Sequence, residues 1–195
     1  MNCNASLEAR REAPSLNERH GLSSILHGRR TARALGDDEQ RVMPKIDISK
    51  IATDTRTGYP PPYDRVVLGR ERKRLGNAGG LDQFGVNLTT LKPGASSALR
   101  HWHEREDEFV YLLEGEVVLI EDEGETVLKP GDAATFKANS GNGHHLVNRS
   151  SRDAIYLEVG TRSKIERVEY PEADLKVVRD DKGFRYTHKD GSPYE

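Results

Sequence analysis

Cysteine is nearly absent: Cys3 is the only one in 195 residues. A lone thiol excludes an intrachain disulfide framework and a zinc site built on thiolates, and its place in a polar terminal segment argues against a nucleophilic role. Long apolar runs are missing too, and none approaches the roughly 18 residues that a membrane-spanning helix needs. Neither sign of charge dominates, with 30 Lys and Arg against 32 Asp and Glu, so no global field recruits nucleic acid or another polyanion. The N-terminus shows no charged-then-apolar leader, and Glu8, Glu12 and Glu18 among its arginines count against a transit peptide. The expectation is a cytoplasmic protein whose partners are small molecules, with neither nucleic acid nor membrane among them.

Hydrophobic residues make up only 34% of the chain and aromatic ones 6%, so the core has to be concentrated in part of the sequence. Residues 1–42 carry seven basic and six acidic side chains and too few apolar ones to pack. Ser15 and Glu18 form a capping-box pattern, but Gly21 soon interrupts it, and the segment reads as a flexible or weakly helical N-terminal arm. Residues 43–195 form the folded domain. Within it Val66-Val67-Leu68 reads as a strand between a proline run and a glycine-rich stretch.

From about residue 80 to 160 the texture changes to short segments rich in Val, Leu, Ile, Phe, Tyr and Thr. They fall near 83–91, 98–103, 108–113, 116–121, 126–128, 133–136, 144–148 and 154–159, separated by Gly, Pro, Asp, Asn or Ser. Glu114-Gly115, Asp122-Glu123-Gly124 and Pro130-Gly131-Asp132 are closely spaced turn signals. They predict an all-β antiparallel sandwich or small barrel. Beyond Gly160, residues 164–174 read as loop or short helix, 175–178 as a strand, and 183–188 as a closing segment able to cover the mouth, add a strand or meet another subunit. Phe109, Tyr111, Leu112 and Leu113 read as core packing on both faces of their strand. Arg70, Arg72, Lys73 and Arg74 read as a solvated loop rather than an anion site.

Four of the seven histidines fall in two pairs, His101/His103 and His144/His145, inside the β region. Alternate side chains of a strand share a face, so His101 and His103 project together while Trp102 points away. Glu108 opens the next apolar run, and a tight turn through residues 104–107 would return it to the same place. His144 would add a third nitrogen from a distant strand. Any one of these histidines, taken alone, is more often a half-buried residue with no ligand role. Together they offer three imidazoles and one carboxylate, a set that suits one divalent ion such as Fe, Mn, Ni or Zn and leaves room for water or substrate.

At this point the sequence resembles a known family. Gly94, His101-Trp102-His103, Glu108 and Gly115 resemble the first cupin motif, with one extra residue after the first glycine. Gly131-Asp132, then Gly141-Asn142-Gly143-His144 and Asn148, resemble the second. Two departures stand out: Asn139 occupies the place of the usual proline, and the stretch between Gly131 and Gly141 is two residues longer. The resemblance implies a single antiparallel β-barrel of cupin or jelly-roll type with a metal in its mouth, held by His101, His103, Glu108 and His144. His145 competes with His144, but the second motif begins at His144, and strand parity groups it with Leu146 and Asn148. Asp107 and Glu106 are the alternatives to Glu108; Glu106 shares its parity, whereas the six-residue interval to Gly115 selects Glu108. Gly115, Gly131 and Gly141 are expected to serve turns that need positive φ.

Small single-barrel cupins with a Trp between the histidines are similar overall, and they are often described as sugar-phosphate isomerases. The expected function is metal-dependent chemistry on an oxygen-rich small molecule, with isomerase or dioxygenase as subclasses and a non-catalytic metabolite-binding module as the alternative. A homodimer paired through an outer sheet is expected.

Overall fold

A computed structural model describes residues 45–194; the expected N-terminal arm, 1–42, lies outside them. Twelve strands form three antiparallel sheets. The largest has the order β1 (Arg70–Arg74), β2 (Phe84–Leu91), β9 (Ala154–Thr161), β4 (Glu108–Glu114) and β7 (Ala133–Phe136). A second runs β12 (Gly183–Thr187), β11 (Lys176–Asp180), β10 (Glu166–Glu169) and β3 (Trp102–His103). The third is β6 (Gly124–Leu128), β5 (Val117–Glu121) and β8 (His145–Val147). The expected all-β jelly roll is therefore present as packed sheets rather than one continuous closed ladder. A four-residue α1 (Leu75–Ala78) follows β1, and no helix among the described residues is long and apolar enough to cross a membrane.

The strands between 83 and 161 lie where alternation and turn residues predict them. In β4, Val110 and Leu112 are buried while Phe109, Tyr111 and Leu113 are exposed. The expectation of core packing on both faces is thus corrected, because among the described residues no sheet covers the outer side. The inward residues join Leu91, Val117, Leu119, Phe136, Leu146, Ala154 and Tyr156 in the main core. Gly115 turns the chain from β4 into β5 at φ +78, and a Cβ there would overlap the Asp153 carbonyl oxygen, so only glycine fits. Gly131 and Gly141 also adopt positive φ.

Three expectations fail for identifiable reasons. Val66-Val67-Leu68 is a turn, and the strand lies just beyond it, at the charged residues Arg70–Arg74. Apolar character misled there, because β1 is an edge strand whose ladder with β2, from Arg70↔Leu91 to Arg74↔Asn87, is a backbone property. Residues 164–174 contain the strand β10, where buried Glu166 and Val168 alternate with exposed Arg167, and the inward glutamate hid the period. The segment 98–103 is strand only at Trp102–His103. The closing segment takes the strand-addition outcome, pairing with β11 as β12.

Candidate metal centre

The histidines meet because of how their backbones pair. His101 N–H donates to the His144 carbonyl at 3.2 Å and His144 N–H donates back to His101 at 2.9 Å. Residues that exchange both bonds stand directly opposite with side chains on one face, and strand parity adds His103 to that face. Glu108 enters from the start of β4, next to Phe136 of β7 and Gly160 of β9 in register.

One oxygen, Glu108 Oε2, is the focus. It lies 3.0 Å from His144 Nε2, 3.4 Å from His103 Nε2 and 3.8 Å from His101 Nε2. His101, His103 and Glu108 offer ligand atoms that all lie within 4.8 Å of one another. Donors about 2.0–2.2 Å from a shared ion stand about 3–4 Å apart, so His101, His103 and Glu108 fit a divalent cation, with His144 beside them and its Nε2 hydrogen-bonded to Glu108. His101 Nδ1 bonds the Leu99 carbonyl at 2.8 Å, which places the proton there and turns the Nε2 lone pair toward Glu108. Tyr170 stacks on the ring of His101, and Phe136 lies parallel to His144 with centroids 3.5 Å apart.

Burial pushes the His101 imidazolium down to about 3, so the ring is neutral near pH 7. For Glu108, burial raises the carboxyl, but the hydrogen bond from His144 and the charges of His103 and His101 outweigh it and hold it at about 2. A neutral imidazole and an ionised carboxylate are the forms that bind metal.

Of the residues weighed against these, His145 is turned aside, with Nδ1 3.1 Å from the Ala98 carbonyl. Asp107 accepts the Ala138 N–H at 2.8 Å. Glu106 is paired with Arg179 at 2.7 Å and also accepts the Ser163 N–H. Behind His103, Glu106 and Glu166 form a second acidic group with it. Glu166 Oε1 accepts backbone N–H groups of Glu104, Arg105 and Arg167, while its Oε2 and His103 Nδ1 are both buried without a hydrogen-bond partner.

Asn139, where the resemblance expects proline, sits at φ +58 and donates its N–H to the His103 carbonyl at 2.7 Å. Proline has neither that φ nor that donor, so the departure ties the lengthened loop to the histidine strand. Asn148 is structural: fully buried, its Nδ2 donates to the carbonyls of Leu91 and Arg152 at 2.8 and 2.7 Å.

The group opens into a cavity of about 240 Å³, below the roughly 300–1,000 Å³ typical of drug-sized ligands and suited to a smaller molecule. Its lining includes Tyr59, Glu158 and Tyr186, to which the sequence assigns no chemistry. Arg70 and Arg72 line it too, and Arg70 is 7% exposed, so the solvated-loop reading fails for these two members of the basic cluster, while Arg74 is exposed. The available signal was periodicity: Arg70, Arg72 and Arg74 alternate as strand residues do, and Glu158 interrupts an apolar run at the parity of Tyr156. Glu158 is held by Asn87 Nδ2 at 2.8 Å and by Arg72 at 3.5 Å.

The sequence matches the Cupin domain family over residues 87–160. It is 47% identical to a sugar phosphate isomerase of the cupin superfamily from Silicibacter pomeroyi, with a TM-score of 0.75 over 78% of this chain and 97% of that one. A candidate sugar phosphate isomerase from Acidithiobacillus ferrooxidans is 27% identical, with a TM-score of 0.59 over 65% of this chain and 80% of its own. A polyketide cyclase from Streptomyces resistomycificus, 21% identical with a TM-score of 0.52 over 71% and 85% of the two chains, shares the fold. A search of curated proteins finds no match.

Proposed function

The chain belongs to the cupin superfamily, and from that premise we propose that it is a metal-dependent enzyme that isomerises a sugar phosphate. The observation that carries this reading is the convergence of three imidazole Nε2 atoms on Glu108 Oε2 inside a small cavity. The 47% identity to the Silicibacter pomeroyi protein supports the substrate class.

His101, His103, Glu108 and His144 would hold the ion. When bound, it supplies a Lewis acid that polarises a carbonyl or acidifies a hydroxyl. The chain's own contribution is proton movement. Glu158 pairs with Val110 across β9 and β4, which makes it a diagonal neighbour of Glu108 on the same face, about 7–8 Å away between backbones. It is the cavity carboxylate outside the ligand group. Held by Asn87 and Arg72, it would take the proton from the carbon beside the carbonyl, exchange it with solvent and deliver one to the former carbonyl carbon, while the neighbouring hydroxyl proton passes to the carbonyl oxygen, so that none is gained or lost overall.

The test is a panel of aldose and ketose phosphates followed by NMR in deuterated water. Conversion with solvent deuterium at the exchanging carbon supports the reading, provided that His101→Ala abolishes it and Glu158→Gln lowers kcat with metal content unchanged. A ligand bound and recovered unaltered would instead identify a binding module, and oxygen consumption a dioxygenase.

A further inference from the structure

Burying a guanidinium without a counter-ion costs several kcal/mol, so an unpaired one points to what belongs beside it. Arg70 is 7% exposed, and no carboxylate among the described residues lies within ion-pair distance of it. Among the described residues its guanidinium makes one hydrogen bond, from Nη1 to the Ser97 carbonyl. Arg72, two residues along β1 and on the same face, shares the cavity wall and has the single carboxylate Glu158 as partner. Two guanidinium groups facing one carboxylate leave that wall positive.

Phenols complete it. Tyr59, Tyr156 and Tyr186 line the same cavity. Tyr59 Oη accepts the Leu99 N–H at 3.4 Å, which leaves its own proton to donate, and the Tyr156 hydroxyl is buried without a partner. Burial pushes the Tyr59 and Tyr186 hydroxyls up, so both remain protonated donors.

We propose that Arg70, Arg72, Tyr59 and Tyr186 form an anion subsite that holds a phosphate group in the cavity shared with the imidazoles. A carboxylate is satisfied by one guanidinium fork, whereas two forks and two phenols match the three terminal oxygens of a phosphate monoester. A molecule seated there by its phosphate extends its hydroxyls and carbonyl toward Glu158 and Glu108. The inference rests on the sugar-phosphate reading for the identity of the whole molecule; the subsite is defined by the residues themselves.

The test uses the full chain stripped of metal and titrated with inorganic phosphate, with chloride and acetate at equal ionic strength as controls, followed by melting temperature and calorimetry. Phosphate is expected to raise the melting temperature saturably. Arg72→Gln should weaken phosphate about tenfold or more, as loss of a charge-assisted hydrogen bond does, while metal uptake stays that of the parent. Arg72 carries the test because its side chain is partly exposed, so its loss does not threaten folding as that of Arg70 would; Tyr186→Phe is the second variant and should weaken phosphate several-fold. Phosphate acting no differently from chloride, acetate binding in preference to it, or Arg72→Gln retaining full affinity would overturn the inference. Phosphate bound through Arg72 without turnover of any sugar phosphate would sink only the isomerase reading. Metal-dependent turnover of a sugar phosphate, with inorganic phosphate ignored and KM unchanged in Arg72→Gln, would sink only the subsite.

Discussion

His101 and His144 face each other because their peptide groups exchange two hydrogen bonds, so the imidazole positions are set by a backbone ladder as well as by side-chain packing. Replacing one ring should therefore remove a ligand without dismantling the strand pair. His101→Ala is expected to bind a divalent ion far more weakly while keeping the parent's circular dichroism; retained affinity by calorimetry would speak against its role. Glu166 holds the chain after His103 by accepting three backbone N–H groups, so Glu166→Ala should lower stability by about 2–3 kcal/mol in urea unfolding. Gly115 is a residue of shape: Gly115→Ala combines positive φ with overlap of the Asp153 carbonyl and should cost about 1–3 kcal/mol in urea unfolding.

Elements carry what single residues cannot. Asn148 joins the end of β2, at the fully buried Leu91, to the loop before β9, at the exposed Arg152, by donating to both carbonyls. Asn148→Ala takes the side-chain donor from the buried Leu91 carbonyl, while Ser150 Oγ still serves the Arg152 carbonyl, and should lower stability by about 1–3 kcal/mol, with metal uptake of the folded fraction intact. The element scale also shows which parts of the molecule were legible in sequence. Strands such as β4 and β9 were, because a buried inner face and turn residues at both ends leave a period-two record. The HxH pair and Glu108 were legible for the same reason, parity plus a short turn. β1 and β10 were not, since their inward positions hold Arg70, Arg72 and Glu166, charged residues that pattern reading assigns to solvent. Their burial is explained only by partners far along the chain: a cavity for the arginines and three backbone N–H groups for the glutamate.

At the scale of the molecule, two hydrophobic clusters flank the site. One lies under the five-stranded sheet, and the other gathers Val168, Tyr170, Ala173, Leu175 and Val177 with the half-buried Tyr59 and Tyr186. The cavity draws its lining from both, so an ion or ligand bound there ties them together, and chelation should lower the melting temperature reversibly. The outer face of the five-stranded sheet presents Phe109, Tyr111 and Leu113 at 37–39% exposure. That apolar stripe predicts pairing of two chains across it, read as a dimer mass in light scattering at micromolar concentration, with Tyr111→Lys shifting the mass to that of a monomer. The most direct measurement is the metal content of the full chain purified without chelator, alongside His144→Ala. One divalent ion per parent chain is expected, and its loss from the equally folded variant. A parent protein that neither carries an ion nor takes up Mn, Fe, Ni or Zn from solution, or a variant that keeps it, would rule out the metal centre.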